Sequence, residues 1–106
     1  MRKIERDMLE ALTWGRDMHK ANTSVQHNPE DGSAVVRLHG NCIARFDYLH
    51  RHVSLYDGGW TSNTTKSRLN ALASAYGVQG VYQKNWEWFN DDGTAFVSGA
   101  SQRTNR

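Results

Sequence analysis

The sequence predicts an α+β fold: an antiparallel sheet of about five or six strands with two helices packed on one face. Three observations carry this expectation. Residues 2–20 and the stretch ending at Tyr76 repeat apolar side chains at three- and four-residue steps, the period of an amphipathic helix. Between them lie short stretches that alternate apolar and polar residues, the two-residue period of half-buried strands. Turn chemistry separates these stretches, with Asn28-Pro29-Glu30-Asp31-Gly32 the plainest case: proline fixes one φ and glycine admits a positive one.

The first helix is expected over 2–20, with Ile4, Met8, Ala11, Leu12, Gly15 and Met18 as its buried stripe and Gly15 a local weakness. A strand centred on Val25 follows. After the proline turn, Ala34, Val36 and Leu38 alternate with Val35, Arg37 and His39. Gly40-Asn41 turns the chain into Cys42–Tyr48, where Cys42, Ala44, Phe46 and Tyr48 are expected on one face and Ile43, Arg45 and Asp47 on the other. A fourth strand, His52–Tyr56, points Val53 and Leu55 inward, and Asp57-Gly58-Gly59 closes the meander.

Trp60 is read as a plug between helix and sheet. The run Thr61-Ser62-Asn63-Thr64-Thr65 favours caps and turns, which sets a helix N-cap at Asn63 or Thr64. That helix buries Leu69, Leu72, Ala73 and Tyr76 and stops at Gly77. Val78–Phe89 reads as one aromatic strand, and Asp92-Gly93 as a hairpin turn into a last strand, Ala95–Ser98. The order is then α, four strands, α, two strands. One domain spans 1–98, and 99–106 is a small, polar, flexible tail.

Composition excludes several classes. The chain has 106 residues, the length of one domain, and a formal charge of only +2 from 13 basic and 11 acidic residues. The single cysteine forbids an intrachain disulfide, no secretory-type apolar segment opens the chain, and no apolar run nears the roughly 20 residues a membrane span needs. The expected setting is a reducing cytoplasm, with no membrane partner.

Leu38-His39-Gly40-Asn41, Ile43-Ala44, Gly59-Trp60, the block Thr64-Thr65-Lys66-Ser67-Arg68-Leu69-Asn70-Ala71-Leu72 and Gln83-Lys84-Asn85-Trp86 together resemble a family of small uncharacterised proteins of bacteriophages and related mobile elements. The resemblance covers residues 34–89, and its most specific part joins Gly59-Trp60-Thr61 to the Leu69–Leu72 block. It carries no activity. What it implies is a context: a phage-encoded protein in the host bacterial cytoplasm, binding a host protein or ribonucleoprotein complex stoichiometrically, as anti-CRISPR and other anti-defence proteins do.

Two constellations are candidate contact sites. At the start of the second helix, Ser62, Thr64, Thr65, Lys66 and Arg68 add hydroxyls and two cations to a terminus whose free N–H groups attract anions; ordinary capping is the plainer explanation. In the aromatic strand, Tyr82, Lys84, Trp86 and Trp88 would share a face, the layout of a single-strand nucleic-acid platform. Core packing accounts for the same pattern, and only exposure separates the two. The partner-binding candidates are therefore Thr64, Thr65, Lys66, Arg68, Lys84, Trp86 and Trp88, with a host protein as the leading partner and nucleic acid as the alternative. A sheet edge or aromatic patch also offers a route to a homodimer.

His39, Cys42, His50 and His52 are the weak candidates for a metal site, at a spacing that matches no known finger. No nucleophile-base pairing is placed by a recognisable motif. The expectation is a non-enzymatic protein without a cofactor.

Overall fold

A buried ion pair joins the two helices to the sheet and sets the frame for everything else. The computed structural model describes residues 2–59 and 61–105, so the plug assigned to Trp60 lies outside the described residues. The chain runs α1 (Lys3–Trp14), β1 (Met18–Lys20), β2 (Thr23–Asn28), β3 (Ser33–Leu38), β4 (Asn41–Asp47), β5 (His52–Leu55), α2 (Asn63–Tyr76), β6 (Val81–Lys84), β7 (Glu87–Asn90) and β8 (Ser101–Arg103). Six strands form one antiparallel sheet in the order β1-β2-β3-β4-β5-β8, and β6-β7 form a separate hairpin. The α+β architecture read from periodicity is the one observed.

Both helices cover one face of the large sheet. Val25, Val36, Ala44 and Leu55 lie in one inward row across four strands, and Ala34, Phe46 and Val53 in the next. They pack against Met8, Ala11 and Leu12 of α1 and Leu69, Leu72 and Tyr76 of α2 in one buried cluster. At about 25 cal/mol per Å² of apolar surface removed from water, this cluster is the main favourable term in folding.

Within that apolar layer sits a charged unit. Arg68 of α2 and Glu5 of α1 are each only 3% exposed, and Arg68 Nη1 lies 2.7 Å from Glu5 Oε2. Ser67 Oγ donates to the same oxygen at 2.5 Å, Arg68 Nε donates to Thr23 Oγ1 on β2 at 3.1 Å, and Arg68 Nη2 reaches Asn22 Oδ1 at 3.4 Å. A buried charge is tolerated only when paired and hydrogen-bonded, and this one is both. Burial by itself would raise the Glu5 carboxyl, but the hydrogen bonds from Ser67 and Arg68 and the guanidinium charge outweigh it and hold the carboxyl below its ordinary value of 4.5.

Four expectations are corrected. The first helix ends at Trp14, not at residue 20: Gly15 takes φ 67° as a left-handed C-cap and donates to Ala11 O. Met18 then belongs to β1, paired with Val25. In β4 a bulge opposite Val36 and Arg37 inserts one extra residue, so that Ile43 and Ala44 are both buried while Cys42 turns outward, half-buried. The expected face of Cys42, Ala44, Phe46 and Tyr48 thus survives only from Ala44 onward. The N-cap of α2 is Ser62, whose hydroxyl accepts from Thr65 N at 3.1 Å, one residue before the expected Asn63 or Thr64. The stretch Ala95–Ser98 forms only a single bridge, Phe89 to Ala95; the last strand is β8, within the polar tail, paired with β5. Asn105 N, beyond it, donates to Tyr76 O.

The Glu5 carboxyl makes stability depend on pH in a defined direction. Because its folded-state value is depressed, its contribution is complete above 4.5 and is lost as pH falls through the folded value. Urea unfolding across the acid range is expected to show this loss, and Glu5→Gln to flatten that part of the profile while lowering stability at neutral pH.

Candidate functional site

The aromatic stretch after α2 is a hairpin, not the single strand Val78–Phe89 that alternation suggested. β6 and β7 pair Tyr82 with Phe89, Gln83 with Trp88 and Lys84 with Glu87, and the turn between them is Asn85-Trp86. Both turn residues have positive φ, 52° and 69°, as a two-residue type I′ turn requires. Such turns strongly favour glycine at the second position, because a Cβ there meets the following carbonyl. Here a tryptophan occupies it.

That turn decides the fate of the expected stacking face. Trp86 is 91% exposed at the tip, whereas Trp88, facing inward, is 7% exposed and packs edge-on to Phe96 with ring centres 5.8 Å apart. The two tryptophans therefore lie on different surfaces, and the shared face of Tyr82, Lys84, Trp86 and Trp88 is not formed. Tyr82 remains outside, stacked on Phe89 at 5.6 Å, and Lys84 is exposed beside the tip. Among the described residues Trp88 Nε1 is the one buried side-chain polar atom without a partner.

The hairpin is pinned to α2. Asn70 accepts from Val81 N at 2.7 Å and donates to Val81 O at 3.0 Å, so its amide acts as a substitute strand neighbour. Gly80 N donates to Asp91 Oδ2 at 2.7 Å, and Lys66 Nζ donates to Gln83 Oε1 at 3.1 Å. The tip is thereby held in place before any partner arrives, which lowers the entropic cost of binding.

The cationic helix terminus does not survive intact. Arg68 is buried in the ion pair described above, Thr65 is buried, and Thr64 is half-buried. Lys66 alone of the two cations reaches the surface, and it leans towards the hairpin. It bonds Gln83, on the hairpin face that carries Trp88, whereas Tyr82 and Lys84 alternate onto the opposite face.

The four metal candidates are not brought together either. His39, with φ 51°, forms the β3–β4 turn, while His50 Nδ1 lies 2.7 Å from Asp47 Oδ2 at the opposite end of β4. The backbone N–H and then the ring of His50 hold the Asp47 carboxyl below its ordinary value. Burial pushes the Cys42 thiol up, which disfavours the thiolate a nucleophile or ligand needs. Among the described residues no three His, Cys, Asp or Glu side chains are grouped to hold a metal.

A cavity of about 170 Å³, for which the sequence carries no motif, opens between the helix ends and β4-β5, lined by Phe46, Tyr48, Tyr76, Arg51 and His52. Tyr48 hydroxyl donates to Leu12 O at 3.3 Å, and burial, with Tyr76 adding, pushes that hydroxyl up. Among the described residues no helix is long and apolar enough to cross a membrane.

The family model of the Kyanoviridae Gp96 protein matches residues 1–103. The chain belongs to this family. It is a family of phage proteins, in agreement with the bacteriophage resemblance, and the match extends well beyond residues 34–89. No curated protein and no solved structure matches the chain.

For this Gp96-family chain, the strain at the hairpin tip has a measurable consequence. Replacing Trp86 by glycine relieves the left-handed backbone and removes an exposed ring, so Trp86→Gly is expected to raise stability by about 0.5–1 kcal/mol in urea unfolding. A loss of similar size would mean that the ring packs on the protein itself.

Proposed function

We propose that this phage protein is a non-enzymatic, stoichiometric binder of a host protein, docking through the β6-β7 tip with Trp86 as its anchor. The observation that carries the reading is Trp86 itself, 91% exposed at a backbone position that disfavours it. A residue that costs folding energy and packs on nothing is better explained by a partner than by the fold. Tryptophan is among the residues most enriched at binding hot spots, where it fills a desolvated pocket. Lys84 ends the strand just before the turn and is exposed, so the partner surface is an apolar pocket with an acidic rim.

In a phage family such a binder acts on the host, and a component of an anti-phage defence, a CRISPR complex included, is the class of target this reading favours. Binding without turnover suits the role, since occupying a partner's surface is enough to block it. The family match supports the phage setting; the tip geometry supports the docking mode.

Affinity capture from host cells expressing the tagged protein, followed by size-exclusion reconstitution with the captured component, tests this directly. A one-to-one complex is expected for the wild type, with Trp86→Ala weakening it by at least about 30-fold, the scale of a hot-spot truncation of 2 kcal/mol or more. A complex that Trp86→Ala leaves intact, or no complex with any host component, would overturn the docking mode.

A further inference from the structure

The face of the large sheet opposite the helices is open, and its charge is arranged. Register places His19 of β1 in one outward row with Ser24, Arg37 and Cys42, and the next outward row runs Gln26, Val35, Arg45, Ser54, Ser101. A third runs Asn28, Ser33, Asp47, His52, Arg103. No residue of these rows is buried.

Taken strand by strand, Arg37 on β3, Arg45 on β4 and Arg103 on β8 step one row at a time in the same direction. They form a diagonal, with His52 between Arg45 and Arg103; His19 lies in the row of Arg37, two strands away at the β1 edge. Arg37 and Arg45 are diagonal neighbours at roughly 7–8 Å, and Arg103 stands roughly 12 Å further on, two strands and two residues away.

These arginines are unspent. Arg45 and Arg103 are exposed and enter no ion pair or side-chain hydrogen bond among the described residues, and Arg37 bonds only the neutral Gln26, at 3.0 Å. Arg68, by contrast, is committed to the core. The face holds three of the 13 basic residues and one of the 11 acidic ones, Asp47, which leaves the rest of the chain balanced at ten of each. The net charge of +2 therefore belongs to this face. Asp47 is already engaged by His50, and Glu30 and Asp31 lie at the β2–β3 corner, off the diagonal, where they repel an anion that strays from it.

We propose that this diagonal binds the phosphate backbone of a nucleic-acid duplex. A spaced line of free guanidiniums matches a line of phosphates, and Arg is the residue best shaped for them. The outward rows contain no Phe, Tyr or Trp, so bases have nothing to stack on; this separates the face from single-strand platforms and makes contact independent of sequence. The sheet, about 24 Å across its six strands, is wide enough to lie against both rims of a groove about 12 Å wide. The surface is distinct from the Trp86 tip, so the two readings stand or fall separately.

Fluorescence anisotropy with labelled 20-base-pair DNA and RNA duplexes and the corresponding single strands, read at about 50 mM and 200 mM salt, tests the proposal. Duplex binding at the lower salt is expected to weaken by about 40-fold at the higher, the slope of roughly three phosphate contacts. Binding of either duplex supports the proposal, and the comparison tells which backbone is preferred. Arg45→Gln should lower the salt slope by about one and the combined Arg37→Gln, Arg45→Gln, Arg103→Gln variant should lose binding, while Trp86→Ala and Lys66→Gln bind as wild type. No duplex binding at 50 mM salt, an unchanged slope in the triple variant, or single strands held as tightly as duplexes would each overturn it.

Discussion

The Arg68–Glu5 pair is the interaction on which the arrangement of this domain depends. It is the point where α1, α2 and β2 meet through charge-assisted hydrogen bonds, inside a layer otherwise built from aliphatic and aromatic side chains. Apolar packing alone would let either helix slide along the sheet at small cost. A buried guanidinium with directional partners on both other elements does not, because a shift of one turn strands a charge. The pair fixes the rotation of α2, and through Asn70 and Lys66, one face further round, the seat of the β6-β7 hairpin. An interaction in the core thus sets the position of a ring at the surface.

Two economies of charge follow from the same fold. The cation that would have enriched the start of α2 is consumed inside, which empties the expected anion site. The arginines on the back of the sheet enter no ion pair among the described residues and are left exposed or half-exposed. Strain is distributed in a similar way: left-handed residues are mostly glycines or sit at tight turns between strands, and the one with the largest side chain, Trp86, is 91% exposed. Where a sequence breaks a local rule without a packing reward, function is the usual cause.

Much of the fold was legible because period and turn chemistry agree. β2 to β5 follow from two-residue alternation around Asn28–Gly32 and Gly40, and α2 from its stripe and Gly77. The misreadings each have a local cause. Met18 fits both a helical stripe and a strand row, so only the left-handed cap at Gly15 separates the two. The extra residue at Ile43 leaves no compositional trace. The β6-β7 turn hides because it lacks the glycine that announces such turns. Arg68 was readable in principle: Arg68, Leu72 and Tyr76 lie on one stripe of α2, as Glu5, Met8 and Leu12 do on α1, and opposite charges on two apolar stripes are a pairing signal. The diagonal of arginines was not readable, since it exists only once the register of six strands is known.

The most direct test of this account is the cost of removing the Arg68 side chain. Urea unfolding of Arg68→Ala at neutral pH is predicted to show a loss of about 3–5 kcal/mol, because Glu5 is left charged and buried without its partner. A loss within about 0.5 kcal/mol of wild type, the range of an ordinary surface substitution, would contradict it, and would return Arg68 to the surface as a candidate for contacting an anion.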